Sequence, residues 1–199
     1  KDINEYSSLK TGDKVYVVNK DKNIALFVMG EKPLTEGMRI LGAHIDSPRL
    51  DLKQNPLYES DGFAMMDTHY YGGVKKYQWV TIPLSLYGVV VKKDGTVVDV
   101  VIGEDDNDPV VGVTDLLIHL SADQLQKTAA KVIEGENLDL NVGSIPLDDD
   151  EKETVKRNIL KLLHEKYDIE EEDFLSAEIE VVPTGKARDF GIDRSMVMG

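Results

Sequence analysis

Short apolar runs separated by Gly, Pro, Asn and Asp dominate the first seventy residues, a pattern that predicts strands joined by turns. Residues 14–18 and 24–29 flank Asn19-Lys20-Asp21-Lys22-Asn23, a turn-rich stretch typical of a hairpin. Met38 to Leu41 are apolar apart from Arg39 and read as a third short strand. Residues 50–53 and 63–69 give two more, set apart by the Asn55-Pro56 and Asp61-Gly62 turns. Gly72-Gly73 permits a sharp change of direction and marks a domain boundary. Beyond it, residues 79–81, 85–92 and 96–102 are rich in Val, Ile, Leu and Tyr, with Lys93-Asp94-Gly95 as a tight turn. Residues 115–126 are mixed and partly helical in pattern. After the acidic entry Pro146-Leu147-Asp148-Asp149-Asp150, the apolar residues Val155, Ile159, Leu162, Leu163 and Tyr167 fall on one stripe of a helix. A last β-type run, 177–182, stops at Pro183, and the polar segment after it reads as a return to the first domain. The pattern by itself describes a mixed α/β chain with a β-rich middle.

Composition narrows the chemistry. The 199 residues suffice for one large domain or two small ones, and no apolar run approaches the roughly 18 residues of a membrane span. No charged-then-apolar leader is visible before the first strand, and the absence of cysteine fits a cytoplasmic protein, the location expected. With no cysteine, a bound metal must take its donors from His, Asp, Glu and water. A net charge of −14 without any basic stripe argues against nucleic acid as a partner. The acidic blocks at 104–108, 148–151 and 170–173 lack the spaced pattern of a calcium loop and read as solvated loops and helix starts.

The candidate chemistry lies at the end of the third predicted strand, in Ala43-His44-Ile45-Asp46. Residues two apart in an extended chain share a side. An imidazole that binds a metal through one nitrogen needs its other N–H held, commonly by a carboxylate. His44 is therefore a candidate metal ligand and Asp46 its partner. Three other histidines are less telling from pattern alone. His119 ends the run Leu116-Leu117-Ile118 like a core-edge histidine, His69 alternates with Asp67 in a predicted strand, and His164 falls opposite Val155 on the exposed side of the helix.

The longer stretch Ala43-His44-Ile45-Asp46-Ser47-Pro48-Arg49-Leu50-Asp51-Leu52-Lys53 resembles the first metal-ligand motif of the aspartyl-aminopeptidase family of two-zinc exopeptidases. Tyr71-Gly72-Gly73 followed by Trp79 is similar to that family's entry into an inserted dimerisation domain, and Asp115-Leu116-Leu117-Ile118-His119-Leu120 is similar to a further family segment. The resemblance implies an α/β fold: residues 1–73 as part of a zinc-peptidase catalytic domain, 74–183 as an inserted β-rich dimerisation domain, and 184–199 as a truncated return segment. It implies a zinc-dependent aminopeptidase that releases N-terminal residues, acidic ones among them, from peptides. Zinc is the implied cofactor, two ions per site in the complete enzyme, with His44 as a ligand and Asp46 as a catalytic residue that orients it. His119 is implied to reach the active site of a partner subunit, in a homodimer that assembles into a larger homo-oligomer. The bridging Asp and the Glu-Glu pair of this family have no match: Asp189 and Asp193 lie near the place of the bridging residue without fitting it. The chain alone is thus expected to bind zinc poorly and to be inactive. For an acidic substrate side chain, Arg49, Lys53 and Lys75 are the candidate counter-ions. The competing reading is a non-catalytic oligomerisation module in which His44 is incidental.

Overall fold

A computed structural model describes residues 1–20 and 22–198. They fall into two compact units, residues 1–45 and 46–199.

The first unit is a hairpin with its flanks. β1 (Lys14–Asn19) pairs antiparallel with β2 (Asn23–Val28) in the register Lys14↔Val28 to Asn19↔Asn23, as the turn-rich stretch between them predicts. Asp21, within that predicted turn, lies outside the described residues. Val15 is buried, whereas Ile24, Leu26 and Val28 are largely exposed. The strand expected over 38–41 does not form. A β-strand is stabilised by hydrogen bonds to a neighbour, and no described segment pairs with these residues. Ile40 and Leu41 stay exposed at 79% and 100%.

The second unit is built on a six-stranded antiparallel sheet, with β3 (Arg49–Ser60), β4 (Phe63–Tyr71), β5 (Leu84–Val91), β6 (Val97–Ile102), β7 (Leu140–Gly143) and β8 (Ala177–Pro183) in the order β6-β5-β8-β3-β4-β7. Asp61 and Gly62, both at positive φ, make the two-residue turn between β3 and β4. The helix α1 (Thr154–Tyr167) packs on β3, β4 and β7 through Val155, Ile159, Leu160 and Leu163. A small hairpin of β9 (Arg188–Phe190) and β10 (Met196–Met198) ends the chain. The core is formed by fully buried residues of the sheet and its connections, among them Leu50, Leu84, Val90, Leu138, Leu140 and Val181.

Four features of the second unit also differ from expectation. Asn55-Pro56 does not end a strand: β3 continues through it as a bulge between Leu52 and Leu57, with Pro56 fully buried. A bulge is a place in a sheet that tolerates a residue without an N–H. Residues 79–81 form no strand. They follow a single 3₁₀ turn (Lys76–Gln78), and Trp79 and Val80 fill the core instead. Leu162 is half-exposed, and Leu160 packs in its place. Finally, Gly72-Gly73 does not separate two sheets, because β3 and β4 on one side of it share the sheet with β5 to β8 on the other. The compact units part between Ile45 and Asp46, ahead of β3. The pairing of β3 with β8, across more than a hundred residues of chain, joins β3 and β4 to the later strands in the second unit.

Candidate functional site

His44 and Asp46 lie in an irregular stretch that precedes β3, and both are exposed. Neither is withheld in an apolar core, so an imidazole and a carboxylate two residues apart are presented to solvent. Such donors suit zinc in kind. They do not suffice in number: among the described residues no group of three or more His, Cys, Asp or Glu side chains is arranged to hold a metal ion. Asp189 and Asp193, near the place of the family's bridging residue, serve the terminal hairpin instead. Asp189 faces Arg194 at 3.6 Å, and Asp193 Oδ1 accepts the Ser195 N–H at 3.3 Å.

His119 sits on one 3₁₀ turn, Ile118–Leu120, in a loop tied by its own polar groups. Asp115 Oδ1 accepts from the Leu116 N–H and from Gln124 Nε2, both at 2.8 Å, and the buried Ser121 donates from Oγ to the Ile118 carbonyl at 3.0 Å. The closed loop leaves Leu116, Leu117, Ile118, Leu120 and Leu125 between 54% and 71% exposed around the histidine. The core-edge placement that pattern alone suggests is therefore not adopted. A cluster of this kind on a surface is a mark of an interface.

The other two histidines are accounted for locally. His69 stacks on Tyr70 with ring centroids 5.8 Å apart. His164, exposed as expected, places Nδ1 3.0 Å from Glu170 and 3.6 Å from Asp168 at the end of α1. Lys92 also binds Asp168 and holds its carboxyl below the usual range.

One face of the sheet carries a polar network that sequence reading did not anticipate. Arg49 bonds Asp51 at 2.7 Å, reaches Glu180 at 3.3 Å and lies 4.1 Å over the Tyr71 ring. Lys53 lies between Asp67 at 3.5 Å and Glu136 at 3.3 Å. Tyr58 donates to Asp139 at 2.7 Å. Burial, then the adjacent Asp139, push the Tyr58 hydroxyl far above the usual phenol range. Burial raises the Asp139 carboxyl more than the Tyr58 hydrogen bond lowers it, and Asp67 adds to the rise. The pairing of β3 with β4 and β8 creates this network. Two of the three candidate counter-ions, Arg49 and Lys53, are thereby engaged with the protein's own carboxylates.

Comparison with known proteins places these features in a family context. The whole chain, residues 1–199, matches the peptidase family M18, described as aminopeptidase I zinc metalloprotease. It is 66% identical over 193 residues to a probable M18 family aminopeptidase 1 from Clostridium acetobutylicum, covering 96% of this chain and 42% of that protein. The fold is similar to the crystal structure of aminopeptidase I from the same organism, with a TM-score of 0.85 at 64% identity, over 96% of this chain and 42% of the other. It is also similar to the M18-family aminopeptidase structure from Thermotoga maritima, with a TM-score of 0.87 at 47% identity, over 98% and 43%. The chain thus spans less than half the length of the relatives it matches.

Proposed function

The chain belongs to the M18 family of aminopeptidase I zinc metalloproteases, and from that premise we propose that it acts, as part of a longer protein, in a zinc-dependent aminopeptidase that releases N-terminal residues from peptides. The observation that carries this reading is the exposed His44-Ile45-Asp46 motif within a match that runs the length of the chain. Bound zinc supplies a water of lowered pKa and polarises the scissile carbonyl. This chain's share is narrower. On this reading His44 would offer one imidazole donor, and Asp46 would be the carboxylate that orients it. Among the described residues no three such donors are grouped, so the rest of the longer protein is read as completing the set for two ions per site.

The second unit, with its exposed apolar loop, is read as the body that joins two copies, and the dimers assemble further. In that arrangement His119 donates a hydrogen bond to the oxyanion that forms in the partner copy's site. The exposure of His119 and of the leucines around it supports this role. Of the three candidate counter-ions for an acidic substrate end, Lys75 is exposed and has no ion pair among the described residues, so it is the one to substitute first.

The test uses the full-length protein. His44→Ala is expected to reduce zinc content and abolish hydrolysis of an aminoacyl substrate. Zinc content and turnover at wild-type levels in that variant would overturn the assignment.

A further inference from the structure

We propose that Arg49 is a positioning residue for the metal motif: it clamps the first residue of β3 to two neighbouring strands, so that Asp46 leaves the sheet in one direction. The inference rests on the reading of His44-Ile45-Asp46 as a metal-binding motif. The clamp spans three strands. Arg49 stands directly opposite Tyr71 of β4, and Asp51 stands directly opposite Glu180 of β8. The guanidinium therefore meets three groups on one face, lying 4.1 Å from the Tyr71 ring centre, with Nε 2.7 Å from Asp51 and 3.3 Å from Glu180. Its side chain is only 18% exposed. A planar guanidinium can stack and donate at once, which a lysine ammonium cannot do in the same geometry.

The two residues between the clamp and Asp46 transmit this hold. Pro48 has a fixed φ, and it biases Ser47 toward extended backbone. Pro48 also lies against Gly72, where a Cβ would come within 3.6 Å of the Pro48 Cα. The lead into β3 is thus stiff along its own backbone and held from the side by the turn that follows β4. Such a hold has a functional use, because metal donors must be kept within about 0.5 Å of their working geometry by the residues that support them. Strand pairing itself does not require it. The neighbouring Leu50 is fully buried and is paired with both β4 and β8.

The test compares Arg49→Met, Arg49→Lys, Lys53→Met and His44→Ala in the full-length protein. The readouts are zinc affinity by chelator competition, amide hydrogen exchange at residues 45–47, and the melting temperature. Arg49→Met is expected to weaken zinc binding about tenfold, the lower end for loss of a supporting partner, and to speed exchange at 45–47 with little change in melting temperature. Arg49→Lys, which keeps the charge and loses the stacking, should recover part of both effects. It also replaces the methionine variant as the test if that variant does not fold. Lys53→Met breaks an ion-pair set on the same face and should leave zinc affinity and exchange at 45–47 unchanged. Wild-type zinc affinity and exchange in the Arg49 variants would overturn the proposal, as would an equal effect from Lys53→Met. Zinc retention by His44→Ala would instead overturn the metal reading, and the exchange measurement would still decide whether Arg49 holds the motif.

Discussion

Removing the Glu59 carboxylate should loosen α1 from its first turn. The first N–H groups of a helix have no partner within it. Glu153, at the capping position, sits in a left-handed conformation and makes no side-chain cap. The cap comes instead from the end of β3, where Glu59 Oε2 accepts from the Val155 N–H at 2.9 Å and from the Lys156 N–H at 3.0 Å. Val155 is only 3% exposed, so water cannot readily replace that bond. A hydrogen bond to a charged group contributes about 1.5–3 kcal/mol, and loss of a cap costs about 0.5–2 kcal/mol. Because one oxygen serves both N–H groups, the two bonds are not additive, and Glu59→Ala should cost about 2–3 kcal/mol. Glu59→Gln keeps an oxygen and loses the charge at the positive end of the helix, a cost of about 0.5–1 kcal/mol. For a unit of this size 1 kcal/mol moves the melting temperature by about 2–4 °C. The alanine variant should therefore melt about 4–12 °C lower, with faster hydrogen exchange at residues 155–158 and unchanged exchange in β5 and β6. If the alanine variant melted within 1 °C of wild type (a limit set from about 2–4 °C per kcal/mol), Glu59 would not be the cap. Equal losses from alanine and glutamine would place the effect in charge alone.

Gly88→Ala should destabilise by about 3 kcal/mol, the upper end for overpacking, because its Cβ would lie 2.1 Å from the Glu178 carbonyl and 2.7 Å from the Ile179 Cα on β8; urea unfolding measures it. Asp139→Asn should raise the melting temperature at pH 7 and give no gain at acid pH. The folded carboxyl has a raised pKa, so its ionised form costs stability above that pKa, and the cost vanishes as pH falls through it. A gain that is largest in acid would refute that sign. In the full-length protein, His119→Ala should lower kcat by about 10²–10³ with zinc content unchanged. Mixing it with His44→Ala should restore partial activity after subunit exchange, whereas no recovery despite proven exchange would remove His119 from the partner's site.

Local signals along the chain settled much of the secondary structure. Asp61-Gly62 specifies a hairpin turn because few residues adopt the positive φ that it needs. The stripe of Val155, Ile159 and Leu163 specifies the buried face of α1. The His44-Ile45-Asp46 motif is proposed on the same kind of local signal, since its residues are adjacent in the chain. What the sequence left open depended on partners far away in the chain. Residues 38–41 have the composition of a strand but no neighbour to bond with among the described residues. Four-residue β7 carries too short a pattern to be recognised, and it exists because β4 offers it an edge. The boundary expected at Gly72-Gly73 was displaced because β8 pairs with both β3 and β5, and backbone hydrogen bonds between distant strands leave no mark in local composition. Arg49 and Lys53 looked like available cations for the same reason. Only the tertiary fold brought Glu180, Tyr71, Asp67 and Glu136 to them and showed that their charges are already answered.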